Sequence, residues 1–165
     1  MTYSRFEDLP VWQEAIRLAD GIYDFTEKHK KVLSYSLRDQ IERAALSVSN
    51  NVAEGFERGT TNELLMFIYI ARGSAGEVRS MLCFIERRQG FINLKSQISD
   101  LKSIAESCSR QLRGWADHLQ NSDIKGQRHL NEKTRQQYET GKNAENFQQE
   151  LLDRLPVGHP LRKRK

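Results

Sequence analysis

Gln40-Ile41-Glu42-Arg43-Ala44-Ala45-Leu46-Ser47-Val48-Ser49-Asn50-Asn51-Val52-Ala53-Glu54-Gly55-Phe56-Glu57-Arg58 is the stretch that decides the fold. At about 100° per residue, Leu37, Ile41, Ala44, Ala45, Val48, Val52 and Phe56 fall in one arc of a helix. Arg43, Ser47, Asn50 and Glu54 fall opposite, spaced i, i+4, i+7, i+11. Small residues on the apolar side let a neighbouring helix approach closely. A face that only meets solvent is usually rich in Lys and Glu. This one carries a cation, an anion, a hydroxyl and an amide, so it reads as a side-chain network or a contact surface.

Helical signals continue on both sides. Asp8 suits an N-cap and Pro10 a first turn. Trp12, Ala15, Ile16, Ala19, Ile22, Tyr23 and Thr26 make an inner face. The second helix is expected over about Ser36–Phe56, with Gly55 and Gly59 as left-handed exit residues. Thr60-Thr61-Asn62-Glu63 is a capping box that opens a third helix, running to about Arg88 and ended by Gly90. Leu64–Ala71 is apolar all round, which three partner helices in one bundle cannot cover. Either another subunit covers the rest, by self-association through helices two and three with Ile68 or Ile70 facing outward, or Met66 and Tyr69 sit exposed. Gly73, Ser74 and Gly76 interrupt the same helix, and close helix approach is the expected return for their cost. A fourth helix, about Ser96–Gln120, carries Leu101, Ala105, Cys108, Leu112, Trp115 and Leu119 at heptad spacing.

The prolines stand only at 10, 156 and 160, and no regular period-2 segment occurs, so the chain is read as all-α. The expected architecture is an antiparallel up-down four-helix bundle over residues 1–122. A flexible, polar C-terminal extension occupies residues 123–165. Within it Asp123–Gly141 reads as disordered or loosely helical, and a short amphipathic helix at 144–155 aligns Phe147, Leu151 and Leu155. That helix docks either on its own bundle or on a partner.

Charge divides along the same line. Residues 1–122 hold 16 Lys/Arg and 16 Asp/Glu, while residues 123–165 hold 10 Lys/Arg and 6 Asp/Glu. The formal +4 therefore belongs to the tail, above all to Arg162, Lys163, Arg164 and Lys165. No run of apolar residues is long enough to span a bilayer, and the N-terminus has no apolar signal region, so a cytoplasmic protein is expected. Cys83 and Cys108 lie on apolar stripes and read as buried, reduced thiols. His29, His118, His129 and His159 are scattered. There is no phosphate loop, no nucleophile elbow and no paired Glu-x-x-His. No catalytic, cofactor or metal site is expected, and the protein is read as not an enzyme. Glu54 and Glu77 read as partners of Arg43 or Arg72 in buried or interfacial ion pairs. Two helix faces are candidate phosphate tracks: Arg72 with Arg79 on helix three, and Lys95, Lys102, Arg110 and Arg113 on helix four. Glu86, Glu106 and Asp117 fall on or near them, so in a single subunit they read first as mixed solvated faces.

Three blocks carry a family resemblance. They are Asp8, Leu9, Val11, Trp12 and Ala15; then Arg43, Ala44, Ala45, Ser47, Asn51, Ala53, Glu54 and Gly55; then Ala71, Gly73, Ser74 and Glu77. In this order they resemble the bacterial four helix bundle protein family. Its members are often encoded in intervening sequences of large-subunit ribosomal RNA genes. They are related to the accessory variability determinant proteins of diversity-generating retroelements. The resemblance covers roughly residues 6–120 and implies a homopentamer. With the charge pattern it points to a non-enzymatic accessory protein that binds RNA or DNA electrostatically, beside a nucleic-acid-processing partner such as a reverse transcriptase. The alternative is a protein-interaction scaffold with no nucleic-acid role. Arg43, Ser47, Asn51, Glu54, Ile68, Ile70 and Glu77 are the residues expected at an oligomer interface or in a structural network.

Overall fold

The computed structural model describes residues 3–121 and 132–155. These are almost wholly helical: α1 Pro10–Lys28, α2 Tyr35–Glu57, α3 Thr61–Glu86, α4 Lys95–Gln120 and α5 Glu132–Arg154. Short 3-10 turns occupy Phe6–Asp8 and Gln89–Leu94, and no strand occurs among the described residues. The chain divides into two units, Met1–Arg128 and His129–Lys165.

In the first unit α1 packs on α2 and α4, and α3 packs on the same two helices. Every helix thus has two neighbours around one core. Leu18, Ile22, Phe25, Ile41, Val48, Val52, Leu64, Ile68, Leu82, Ile85, Ile98 and Leu112 are fully enclosed there. Across the α2–α3 seam the paired positions are 40 with 77, 47 with 74 and 55 with 67. Across α3–α4 they are 86 with 102 and 69 with 120.

Local chemistry explains the helix ends. The Leu37 backbone N–H donates to the Ser34 hydroxyl, and the Glu63 N–H to that of Thr60, satisfying donors that a helix start leaves orphaned. The Thr60 hydroxyl also donates to the Glu63 carboxylate at 2.7 Å. Pro10 opens α1, but Leu9 rather than Asp8 precedes it, because Phe6–Asp8 is taken up by the 3-10 turn.

Several expectations are corrected. Gly55 lies inside α2 and is no left-handed cap, though its carbonyl accepts the Arg58 N–H at the helix exit; a Cβ there would stand 2.7 Å from Cβ of Phe67, so its role is close approach. Gly73 and Gly76 meet nothing within 4 Å, so packing within the subunit does not account for them. Tyr23 is exposed, whereas Leu18 and Phe25 are buried. Cys83 is exposed; Cys108 is buried, and burial pushes its thiol up to about 12, aided by the nearby Glu14 charge. In the second unit α5 begins at Glu132, well before the 144 expected, and Phe147 and Leu151 on it are exposed.

Candidate nucleic-acid and assembly surfaces

The polar stripe of α2 splits into an inner and an outer part. The Asn51 amide donates to the Ser47 carbonyl at 2.7 Å and to its hydroxyl at 2.9 Å. The Ser47 and Ser74 hydroxyls are 2.9 Å apart, and Ser74 donates to the Ile70 carbonyl at 3.1 Å. Since each hydroxyl has one proton, the chain runs from Asn51 through Ser47 and Ser74 to Ile70. It ties α2 to α3 at mid-length. Gln40 Nε2 donates to Glu77 at 3.1 Å nearer one end.

Arg43 and Glu54 do not join this chain. Arg43 pairs with Asp39 at 3.0 Å and its side chain is 73% exposed. Glu54 pairs with Arg58, also at the surface. Eleven residues of helix hold Arg43 and Glu54 about 16 Å apart along the axis. Each therefore takes a partner one turn away on its own helix, and the expected buried pairing of Arg43 with Glu54 or Glu77 does not form.

Ile68 is fully buried within the subunit, so it is not the outward residue. Ile70 is: it is 45% exposed, beside Met66 at 52% and Tyr69 at 43%. Gly73 lies one turn further along the same outward side of α3.

The helix-face phosphate tracks are largely answered by acids. Lys102 donates to Glu86 at 2.8 Å, and that bond holds its ammonium above the usual lysine range. The neighbouring Arg79 charge opposes that shift. Arg110 pairs with Glu106 at 3.5 Å and Arg113 with Asp117 at 3.7 Å. Arg72 is half-buried on α3. Arg162, Lys163, Arg164 and Lys165 lie outside the described residues.

Among the described residues a further positive region, of which helix faces show only Lys95, sits at one end of the helices. Residues 28–38 carry Lys28, Lys30, Lys31 and Arg38 with no acid, and residues 87–95 carry Arg87, Arg88 and Lys95 with none. The fold brings these loops together: the Phe25 ring lies 6.5 Å from Phe91 and 4.9 Å from His29. An open cleft joins Val32 to Arg87, Arg88, Gly90 and Phe91. The acid-free runs themselves were the available signal.

No helix among the described residues is long and apolar enough to cross a membrane. The first unit is thus a helical bundle whose flanks are ion-paired and whose one loop end gathers Lys and Arg. The chain belongs to the 23S rRNA-intervening sequence protein family, whose model matches residues 7–114. No curated protein matches it. The matched region ends within α4, so α5 lies outside it.

Proposed function

We propose that this protein is a non-enzymatic, self-associating accessory protein of the cytoplasm that binds RNA or DNA through electrostatics. In this account its fold is an up-down bundle, a topology supported by the rising numbers of α2 that meet falling numbers of α3, and likewise for α3 and α4. The observation that carries the reading is charge segregation: the balanced body leaves the whole +4 to residues 123–165. Self-association multiplies that small surplus. Five copies, the number the family resemblance implies, raise avidity by about 10²–10⁴-fold without any new contact. The exposed Met66, Tyr69 and Ile70 supply the surface for assembly. A nucleic-acid-processing enzyme such as a reverse transcriptase is the partner class that accompanies this reading.

A second reading, the protein-interaction scaffold, is favoured by α5 alone. Phe147 and Leu151 stand one turn apart on it and are exposed, which suits a helix-in-groove contact.

Size-exclusion chromatography with light scattering, run with and without added single-stranded RNA at low salt, tests the proposal. The protein is expected well above its 19.2 kDa monomer mass, with a further shift when RNA is added. An oligomer that ignores RNA and DNA favours the scaffold. A clean monomer removes the multivalency on which the account depends.

A further inference from the structure

We infer that the loop end of the bundle, where residues 28–38 meet residues 87–95, is a binding site for single-stranded nucleic acid on the folded body itself. The inference rests on the nucleic-acid reading above and places a second site away from the tail.

Seven of the body's sixteen Lys/Arg lie in these two runs, leaving nine against sixteen Asp/Glu elsewhere in residues 1–122. The neutral body is therefore strongly polarised. Lys30 pairs with Glu27. Among the described residues, Lys28, Lys31, Arg38, Arg87, Arg88 and Lys95 have no carboxylate at ion-pair distance.

Helix stability does not explain the whole cluster. Cations at the C-terminal ends of α1 and α3 suit the helix dipole, which accounts for Lys28, Arg87 and Arg88. Arg38 and Lys95 lie in the first turns of α2 and α4, where the dipole disfavours a cation. Neither first turn carries an acid. The two N-termini at this end are offset by the C-termini of α1 and α3, so its positive potential comes from the side chains. Nε of Arg38 and Nε2 of His29 are also buried without a hydrogen-bond partner among the described residues. The end accumulates positive charge against local preference, as an anion site requires.

Exposed aromatic rings beside the cations select single strands. Arg87 and Arg88 line two adjoining clefts, one with Val32, Gly90 and Phe91, the other with Ser80, Cys83 and Phe84. Tyr35 is 75% exposed with the Arg38 guanidinium 5.9 Å above its ring, and Phe84 is 52% exposed with Arg88 at 5.6 Å. Exposed rings beside guanidinium groups are stacking platforms for unpaired bases, while the arginines and lysines take the phosphates. A duplex keeps its base faces covered and gains only the phosphate contacts.

The test uses the full chain and a fluorescein-labelled single-stranded RNA of about 20 nucleotides, followed by anisotropy at low salt. Arg87→Ala/Arg88→Ala should weaken binding about tenfold and flatten the salt dependence by one to two phosphate contacts, with mass and helicity kept and the melting temperature lowered only slightly. Tyr35→Ala should weaken single-strand binding by about five- to hundredfold and leave a duplex of equal length unaffected. Neutralising Arg162, Lys163, Arg164 and Lys165 to Gln should leave the effect of Arg87→Ala/Arg88→Ala in place. If the wild-type chain binds but Arg87→Ala/Arg88→Ala binds equally well, this site is wrong and the tail reading stands. If the wild-type chain binds neither probe, the nucleic-acid reading itself fails. Equal loss of duplex and single-strand binding in Tyr35→Ala overturns the preference for single strands.

Discussion

A Cβ placed on Gly55 of α2 would lie 2.7 Å from the Cβ of Phe67 on α3 and 3.2 Å from Cδ1 of Leu64. Neither Cβ can rotate away, so the two backbones are as close as a glycine allows. Gly55→Ala gains helix propensity of about 0.5–1 kcal/mol and loses about 1–3 kcal/mol to overpacking. A net loss of stability is expected, read as a lower denaturation midpoint. A stabilised variant would show that the seam yields.

Gly73 makes the opposite case. Nothing lies within 4 Å of a Cβ there, so within one subunit Gly73→Ala should stabilise by about 0.5–1 kcal/mol. If α3 meets a second copy along this side, Gly73→Leu should reduce the mass seen by light scattering while helicity is kept. An unchanged oligomer after Gly73→Leu would move the assembly surface elsewhere.

Ile68 and Ile70 are two residues apart and should behave differently. Ile70→Glu should give a folded but smaller species, because that side chain is already partly in solvent. Ile68→Glu places a charge in a fully enclosed site and should abolish cooperative unfolding. Equal behaviour of the two variants in circular dichroism melts would contradict the orientation of α3.

Glu54→Ala should cost no more than about 0.5 kcal/mol. Its pair with Arg58 is an exposed i, i+4 contact that solvent and salt screen. Ser74→Ala should cost more, about 1 kcal/mol, since it cuts the hydrogen-bonded path from Asn51 through Ser47 to Ile70. Urea titration of the two variants gives the order directly.

What could be read beforehand follows from what is local. Thr60 and the heptad run from Leu101 to Leu112 act within one or two turns, so that cap and that buried face are legible in the sequence, whereas Ser34, the cap of α2, is not among the residues it singles out. Gly55 was read as a cap because its reason for being glycine, Phe67, lies across a seam and past a loop. Arg43 and Glu54 share a stripe, yet a stripe says nothing about the rise that separates its members. Cys83 falls on an apolar stripe that continues onto the uncovered side of α3. The basic end escaped because periodicity reports faces of helices, whereas this feature is made by two loops that only the fold brings together.

The central claim, electrostatic binding of nucleic acid, is tested most directly by titrating the full chain against labelled single-stranded RNA at several salt concentrations. Each phosphate contact contributes a slope of about −0.7 to log K against log salt for single strands. A site using four or more phosphates should give a slope of about −3 or steeper, and binding should be clear near 50 mM salt. No binding at low salt, or affinity that does not change with salt, would contradict the account.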